Sequence, residues 1–437
     1  MMRQKASILV GLLWCLALLS VVVIGVLHTA RMDLLVVKNY GDRIQAHYLA
    51  LAGIEKAKAL LYQDANDRGR SQKNHNGNFY DDAQQFREVP LGRGVFSVVR
   101  RGRADEGGGI IFGVSDEESR LNVNTATADE LAKLQNMTPA VAAAIVNWRG
   151  GDSTTVTAEA QYYAGLQPPY QPRIGPFQTV RELLMVRGVT PELLLGRDVR
   201  QNGMLAAAGE NGSAGSVDSS DLGWAGILTV DSTVQNLNAA GENCVNIQSA
   251  DEGSLTAVQG ITPQIARAIV AYRGQHQFQS IADLLDVTPP QNQQGPGGAD
   301  NSDQSGNRVV NENLFMDIAD DVTTDNNQSL TGAININTAG LDVLACLPGM
   351  TRELAQAVIS QRQSGGFFAN TGELLKVPDL TRDIFKQIAP LVTARSETFR
   401  ILSEGKVNST GARQRIQAIV HIGLNGQRTL SWREDDL

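Results

Sequence analysis

The sequence predicts an α+β protein in which a long N-terminal helix packs on an antiparallel sheet and all-α domains are inserted before the last strands. Three observations lead to this fold class. An uncharged apolar run covers Ile8 to Leu27, one pattern occurs three times in the middle of the chain, and apolar and polar residues alternate near its end. Alternation indicates half-buried strands, whereas apolar residues spaced by three and four indicate helices.

The first element is predicted to be a membrane anchor. Arg3 and Lys5 precede the 20 uncharged residues from Ile8 to Leu27, and a helix of that length crosses about 30 Å of hydrocarbon. The run is longer than the apolar part of a secretory signal, and no small-residue cleavage site ends it. We therefore expect a transmembrane helix over residues 8–27, with its basic flank in the cytoplasm.

The helix is expected to continue beyond the membrane. No proline occurs between Arg31 and Tyr62, and a helix from Ser7 to Tyr62 would be roughly 80 Å long at about 1.5 Å per residue. Apolar residues at helical spacing indicate a second half that packs on the rest of the protein. These residues are Ala46, Leu49, Ala50, Gly53, Ile54, Ala57, Leu60 and Leu61.

The repeated pattern predicts three related helical units. It runs without gaps over residues 122–149, 246–273 and 335–362, each time from an asparagine to an arginine. Four apolar positions recur in every copy and are the predicted cores: Leu131, Leu255 and Leu344; Leu134, Val258 and Leu347; Ala142, Ala266 and Ala355; Ile145, Ile269 and Val358. Each unit is predicted to consist of two helices joined by a tight turn and a third helix that completes the core.

The turn residues indicate where the second helix of each unit begins. Threonine is a common N-cap, and the candidates are Thr138, Thr262 and Thr351. Asparagine and glycine tolerate positive φ, and they precede the turns as Asn136, Gly260 and Gly349.

The remaining stretches predict loops and a closing sheet. Residues 203–223 and 288–310 combine glycine with small polar residues and lack periodic apolar residues, which is typical of linkers. The second of these is expected to interrupt the last helix of the second unit or its exit. After residue 397, alternating residues with turn signals at Glu404-Gly405 and Asn425-Gly426 predict antiparallel strands.

The beginning of the chain resembles type IV pilins and type II secretion pseudopilins. The segments RQKASILVGLLWCLALLSVVVIGVL and AHYLALAGIEKAKALL join a short basic leader directly to an apolar helix. In that family a prepilin peptidase cuts behind the leader after a small residue, which implies cleavage between Ala6 and Ser7. The fifth residue after this cut is Gly11, where most members carry a glutamate that pairs with a neighbouring subunit's N-terminal amine.

Lack of this glutamate is characteristic of the large minor subunit, pseudopilin K. The segments SDEESRLNVN and YYAGLQPPYQPRIGPFQTVRELLMV also resemble that class, whose inserted domains are of the helix-hairpin-helix and SAM-like types. The resemblance implies a minor pseudopilin that caps the tip of a type II secretion pseudopilus and serves protein export across the outer membrane. The implied partners are other minor pseudopilins, the prepilin peptidase and the inner-membrane secretion platform.

Two alternative functions are kept. One is a membrane-tethered helix-hairpin-helix DNA receptor, and the other is a minor pilin of a type IV pilus. Phosphate-binding hairpins of this kind usually have a Gly-hydrophobe-Gly turn, and the second glycine is missing from all three turns here. The net charge is −8, so neutralisation of phosphates, on which DNA affinity largely depends, is not supported.

The arginines that end the three copies have two interpretations. Arg149, Arg273 and Arg362 could contact phosphates, or they could offset the dipole at a helix C-terminus and bond free carbonyls. We favour the structural role.

No enzyme class is supported by the sequence. The five histidines show no paired ligand spacing, and no nucleophile elbow or phosphate-binding loop is present. Cys15 lies in the anchor, while Cys244 and Cys346 occupy non-equivalent positions of two repeats. We expect free thiols, although an oxidising compartment would permit a disulfide.

Calcium is the one cofactor that the residues suggest. Calcium takes six to eight oxygen ligands, and oxygens are offered by Asp116, Glu117, Glu118, Asn122 and Asp152. A solvated turn with capping hydrogen bonds is the favoured interpretation of these residues.

The predicted partition follows from these elements. The leader covers residues 1–6 and the pilin helix residues 7–62. The remaining boundaries are 63–120 for the first part of the α/β domain, 121–200 for helical domain 1, 201–242 for a linker, 243–330 for helical domain 2 with a low-complexity insert at 288–310, 331–393 for helical domain 3, and 394–437 for the C-terminal strands. The expected location is the inner membrane, with a single pass and a periplasmic head.

Overall fold

The computed structural model describes residues 3–71, 80–150, 153–196, 223–289 and 308–434. It confirms the α+β class: a long helix packs on an antiparallel sheet, and helical units occupy the middle of the chain. The described α-helices are α1 (Arg3–Ser71), α2 (Ala83–Phe86), α3 (Ala128–Ala132), α4 (Pro139–Trp148), α5 (Ser153–Ala164), α6 (Pro191–Leu195), α7 (Glu252–Ala257), α8 (Pro263–Arg273), α9 (Glu312–Ile318), α10 (Leu341–Leu344), α11 (Arg352–Gly365) and α12 (Arg382–Ile388).

Short strands and 3-10 turns connect these helices. The described strands are β1 (Val89–Leu91), β2 (Gly94–Val98), β3 (Arg100–Arg101), β4 (Ile110–Ile111), β5 (Ser115–Asp116), β6 (Leu121–Asn122), β7 (Leu228–Thr229), β8 (Thr233–Gln235), β9 (Val245–Asn246), β10 (Val322–Thr323), β11 (Ser329–Thr331), β12 (Ile334–Asn335), β13 (Val392–Thr393), β14 (Thr398–Val407), β15 (Arg413–Gly423) and β16 (Gly426–Arg433). The described 3-10 turns are Ala104–Glu106, Val180–Met185, Trp224–Gly226, Ile281–Asp286, Thr371–Lys376 and Ala389–Leu391.

Helix α1 combines an exposed anchor with a packed half. Residues 8–27 are exposed along their whole length, and α1 is long and apolar enough to span a membrane. The packed half presents the predicted face to the sheet, with Ala46, Ala50, Ile54 and Ala57 fully buried. The helix ends at Ser71 and not at Tyr62, because its buried face continues through Ala65 and Arg68.

The sheet has the strand order β1-β2-β14-β15-β16, and β5 pairs with the far end of β14. All of these pairs are antiparallel. Alternate residues of β14 face α1, among them Phe399 and Ile401, and together with Ile416 and Val420 of β15 they form a hydrophobic core with the helix. The sheet therefore joins strands from both ends of the chain.

Glycines permit the close contact between α1 and the sheet. A Cβ on Gly405 would lie 2.1 Å from the carbonyl oxygen of Ala46 and 2.5 Å from the amide nitrogen of Ala50. The sequence-based prediction of a turn at Glu404-Gly405 is therefore wrong, because both residues lie inside β14. The glycine is needed for helix packing, and the chain reverses only after Val407. The predicted turn at Asn425-Gly426 is found one residue earlier, at Leu424-Asn425 between β15 and β16, and Gly426 begins β16.

Each helical unit is closed by a pair of two-residue parallel strands. Strand β6 pairs with β7, β9 with β10, and β12 with β13. The chain thus enters and leaves each unit at neighbouring positions. Residues 224–229, which the sequence analysis assigned to a linker, belong to the first unit because β7 closes it. Of the predicted insert 288–310, residues 290–307 lie outside the described residues, and the rest connects the 3-10 turn Ile281–Asp286 to α9.

Every unit has more helices than the sequence predicts. Units 2 and 3 have one additional helix and unit 1 has two, because α5 lies between α4 and the 3-10 helix Val180–Met185. After the 3-10 helix of each unit, a second hairpin leads to α6, α9 or α12. Its N-caps are Thr190, Asn311 and Thr381. Positive φ at Gly188 and Asp379 repeats the chemistry of the first hairpin. The N-cap residues were the one sign of these helices in the sequence. Helices of five to seven residues are too short to show a helical period in their apolar residues.

The predicted first turns are confirmed. Asn136, Gly260 and Gly349 have positive φ. The hydroxyl of each predicted N-cap threonine accepts a hydrogen bond from the third helical residue, as Thr138 does from the amide of Val141.

The units pack against one another. The second hairpins of units 2 and 3 meet through Phe315 and Phe385, whose ring centroids are 5.6 Å apart in an edge-to-face arrangement. The ion pair between Arg382 and Glu312, at 2.8 Å, flanks this contact. Unit 1 joins unit 3 through Lys133, whose ammonium donates to the carbonyl of Leu347. The buried apolar residues of all three units form one continuous cluster.

We expect Gly405→Ala to lower the free energy of unfolding by about 3 kcal/mol, because the added methyl group would collide with helix backbone that cannot rotate away. Urea unfolding of the detergent-solubilised protein measures this. Gly253→Ala is the control: that glycine is exposed in α7, its nearest neighbour to a Cβ is 3.7 Å away, and alanine there should stabilise by up to about 1 kcal/mol. Equal effects of the two substitutions would contradict the packing argument.

Candidate assembly interface and acidic junction

Two parts of the molecule are candidates for function: the outward side of α1, and the place where the sheet meets the helical units. The predicted processing residues Ala6 and Ser7 lie within α1, and their side chains are outside the described set. Gly11 is also helical, and a Cβ there would meet nothing within 4 Å. Gly11 therefore lies on an unpacked part of the helix.

Residues 28–41 of α1 are exposed on every side of the helix, and one apolar stripe continues from there onto the outward side of the packed half. Its members are spaced alternately by three and four residues, and we call them the outer stripe: Leu34, Val37, Gly41, Ile44 and Tyr48. The side chains are 70% exposed at Leu34, 68% at Val37 and 62% at Tyr48. Leu49, one residue further, is 3% exposed and faces the sheet. Such spacing is the pattern by which one helix packs along another.

The acidic junction lies where β5 leads into the first helical unit. Asp116, Glu117 and Glu118 are consecutive and are 6%, 0% and 1% exposed. A buried carboxylate is tolerated only when it is paired or hydrogen-bonded. Each of the three carboxylates meets this requirement with a different part of the fold.

Asp116 connects the sheet to the third unit. Its Oδ2 accepts a hydrogen bond from Nδ2 of Asn335 at 3.2 Å, and the hydroxyls of Thr338 and Ser396 also donate to it. Its Oδ1 accepts from the amide of Glu118 at 2.8 Å. The asparagine that begins the third repeat is thereby fixed against β5.

Glu117 connects the exit of the first unit to β14. Its carboxylate pairs with the guanidinium of Arg400, with Nε 2.7 Å from Oε1 and Nη2 3.1 Å from Oε2. The hydroxyl of Thr229 donates to Oε2, and Arg120 lies 3.8 Å away. Burial would raise the pKa of Glu117, but the positive charges of Arg400 and Arg120 outweigh it and hold this pKa below the ordinary value.

Glu118 connects the segment after the first unit to the start of β14. Its Oε1 accepts from the amide of Thr233 at 3.0 Å, and its Oε2 accepts from the amide of Thr398 at 3.1 Å. No cation is among these partners, and burial together with the charge of Asp116 raises the pKa of Glu118 well above its ordinary value. Two adjacent glutamates thus have pKa values displaced in opposite directions.

The described residues do not fit the calcium site that the sequence suggested. Asp116, Glu117 and Glu118 face three different sets of donors, while Asn122 donates from Nδ2 to the hydroxyl of Ser232. Asp152 lies outside the described residues. In the described part of the chain, no group of three His, Cys, Asp or Glu side chains has metal-binding geometry.

The repeated asparagines organise the entry of each unit. In every copy the side-chain oxygen accepts a hydrogen bond from the amide two residues later: Asn122 from Asn124, Asn246 from Gln248 and Asn335 from Asn337. The side-chain oxygen of this later residue, Asn124, Gln248 or Asn337, then accepts a hydrogen bond from the amide of a phenylalanine that precedes the 3-10 helix of the same unit. Each copy thus ties its entry strand to its own 3-10 helix.

The repeated arginines have the structural role, in a different form from the one expected. Each guanidinium donates to two carbonyls just before the first helix of its own unit, as Arg273 does to Ile247 and Ala250. The predicted role was to bond free carbonyls at the C-terminus of the helix that each arginine ends, whereas the bonded carbonyls precede the first helix of the unit. Arg362 also pairs with Asp105 at 3.0 Å, which ties the third unit to the α/β domain.

The three cysteines are free. Cys15 is exposed on the anchor, while Cys244 is half-buried and Cys346 is buried. Burial raises the pKa of the Cys244 thiol to about 11 and that of Cys346 to about 12. Both thiols are therefore protonated and unreactive at neutral pH.

Comparison with known families identifies the region that contains the junction. A family model described as Type II secretion system (T2SS), protein K matches residues 114–196. The predicted resemblance to the protein K family is confirmed. A model of the helix-hairpin-helix motif matches residues 241–289 and 331–393, which are the first part of the second unit, up to its 3-10 helix, and the whole of the third unit.

Relatives and solved structures add partial similarities. Endonuclease/exonuclease/phosphatase family domain-containing protein 1 of Bos taurus is 31% identical over 173 residues, 38% of this chain and 25% of that protein. The protein of the same description from Danio rerio is 30% identical over 171 residues, 39% of this chain and 24% of that protein. This chain thus spans about a quarter of the length of these relatives. A chain in the crystal structure of the GspK-GspI-GspJ complex from the enterotoxigenic Escherichia coli Type 2 Secretion System aligns with 91% of this chain and 99% of that chain, at 12% identity and a TM-score of 0.44.

Glu117→Gln and Glu118→Gln are expected to change stability with opposite pH dependence. The pKa of Glu117 is lowered in the folded state. Its contribution to the free energy of unfolding is therefore present when the pH is above the ordinary pKa of 4.5, and it is lost as the pH falls through the folded-state pKa. The pKa of Glu118 is raised in the folded state. Its contribution to the free energy of unfolding is therefore complete when the pH is below the ordinary pKa of 4.5, and it is lost as the pH rises through the folded-state pKa. At neutral pH, Glu117→Gln should cost about 3 kcal/mol because it leaves Arg400 without its buried partner.

Guanidinium unfolding of wild type and both variants between pH 4 and pH 8 measures these differences. Glu55→Gln is the matched control, because Glu55 forms an exposed ion pair with Lys58 that is worth less than about 1 kcal/mol. Parallel pH profiles for the two junction variants would show that the carboxylates do not have opposed environments.

Proposed function

We propose that this protein is a minor pseudopilin that caps the tip of a type II secretion pseudopilus and takes part in protein export across the outer membrane. The match of residues 114–196 to the protein K family supports the secretion system. Its role would be structural and not catalytic. The partners would be other minor pseudopilins, the prepilin peptidase that processes the leader, and the inner-membrane platform.

The outer stripe is the observation that carries this proposal. Side chains of Leu34, Val37 and Tyr48 are exposed above the membrane-spanning part, where exposed apolar surface is unfavourable in water. A contiguous apolar surface of this kind marks an interaction site. A neighbouring helix that packs along the stripe would bury it, as the helix bundle of a filament requires.

Gly11 supports a position at the end of the filament. In the resembling family the carboxylate at this position attracts the amine of the subunit above, and an ion pair in hydrocarbon is worth far more than one in water. Gly11 has no carboxylate, so this protein would not need a subunit above it. Three helical units inserted into the head would also crowd a helical stack, and both features suit a cap.

The orientation follows from the basic leader. Arg3 and Lys5 precede the apolar run and would keep the N-terminus in the cytoplasm. The head, beginning near residue 42 where α1 first becomes buried, would then lie in the periplasm.

Removal of residues 1–6 by a prepilin peptidase is the first expected outcome, because the leader adjoins an uninterrupted apolar helix. N-terminal sequencing of the membrane-extracted protein should begin at Ser7. Recovery of Met1 or Met2 in cells that contain the peptidase would contradict the processing.

Val37→Lys should abolish incorporation of the protein into filaments, since it places a charge in the middle of the outer stripe. Val36→Lys is the matched control, because Val36 is 63% exposed but lies off the stripe. The measurement is gold labelling of the head on isolated pseudopili. Wild type and Val36→Lys should label one filament end, and Val37→Lys should not. Label along the shaft, at many copies per filament, would refute the tip position.

A further inference from the structure

We propose that the corner between α1 and the edge strand β16 is a second, head-level docking surface for the subunit that packs on the outer stripe. This inference rests on the proposed function. Four residues form the surface, which we call the aromatic corner: His47, Tyr48, Trp432 and Glu434.

Side-chain contacts join the four residues into one surface. The rings of His47 and Tyr48 are 5.4 Å apart in an edge-to-face arrangement. Nδ1 of His47 lies 3.5 Å from Oε2 of Glu434, and the indole nitrogen of Trp432 donates to Oε1 of the same carboxylate. The corner is therefore held in place by contacts between α1 and the end of β16.

The corner has the chemistry of an interface anchor. Tyr48 is 62% exposed and Trp432 is 42% exposed, and tyrosine and tryptophan contribute most often to binding energy at protein interfaces. Hydrogen bonding of the indole to Glu434 fixes its orientation, so little side-chain entropy remains to be lost on docking. An exposed but oriented tryptophan is suited to inserting into a partner.

Continuity with the outer stripe identifies the occupant. Tyr48 belongs to both surfaces, and the stripe leads back through Leu34 toward the anchor, whose last apolar residue is Leu27. A chain lying along both surfaces would leave the same membrane beside the anchor and run parallel to α1. The occupant is accordingly another membrane-anchored subunit, with its helix on the stripe and its head against the corner.

Photo-crosslinking of the full-length protein in its own membranes tests the proposal. A photoreactive amino acid is placed singly at Tyr48 and at Trp432, at Val37 as the stripe reference, and at Leu91 as the control. Leu91 is 49% exposed but lies on β1, at the opposite edge of the same sheet. We expect positions 48 and 432 to crosslink to one subunit, with the attachment sites mapped by mass spectrometry to its N-terminal helix or adjoining sheet, and position 91 not to crosslink to it.

The outcomes separate this inference from the proposed function. Crosslinking at Val37 without crosslinking at positions 48 and 432 overturns the corner and leaves the proposed function intact. Failure at Val37 as well argues against the proposed function. A product containing two copies of this chain, or a soluble exported protein attached at position 432, overturns the assigned occupant.

A substitution provides a second readout. Trp432→Ala should lower the crosslinking yield at Tyr48 roughly tenfold, the effect of losing a typical anchor residue, whereas Leu91→Ala should leave it unchanged. Because Trp432 is substantially exposed, the melting temperature of the variant should stay close to that of wild type. An unchanged yield with Trp432→Ala would show that the corner does not contribute to docking.

Discussion

The burial of three consecutive carboxylates is the constraint on which the connection between the sheet and the helical units depends. Asp116, Glu117 and Glu118 cannot leave water without donors, and the donors come from distant parts of the chain. Arg400 is 283 residues from Glu117, and Asn335 is 219 residues from Asp116. The junction can therefore form only when β14 and the third unit are already in position, which couples the folding of the α/β domain to that of its inserts.

The internal design of the units makes such insertion possible. Each unit is closed by a parallel strand pair, so its entry and exit are neighbours. The asparagine at the entry orders the following turn, and the arginine at the end of the second helix holds the carbonyls before the first helix. These contacts are local to one unit and recur in all three. A self-contained unit with adjacent ends can lie between two strands of a sheet without changing their pairing.

The sequence was informative wherever the signal is local. Helix α1, the three repeats, the threonine caps and the turn between β15 and β16 follow from spacing and turn chemistry. Features that depend on distant contacts were not accessible: Gly405 resembles a turn residue until α1 is seen 2.1 Å from its Cβ position, and the acidic triplet resembles a solvated turn until Arg400 and Thr398 are seen beside it. The helix after the second hairpin of each unit, α6, α9 or α12, could not be predicted because it is too short to show a helical period.

The two sides of α1 would separate stability from the proposed assembly. One side is fixed by contacts with the sheet as close as backbone permits, and its residues cannot change without altering the fold. On the other side, Leu34, Val37 and Tyr48 contribute little to the stability of the isolated head because they remain exposed. Substitutions at this proposed interface would alter partner choice at almost no cost in folding free energy. A single helix can in this way hold a rigid head and present an independently variable surface to the rest of an assembly.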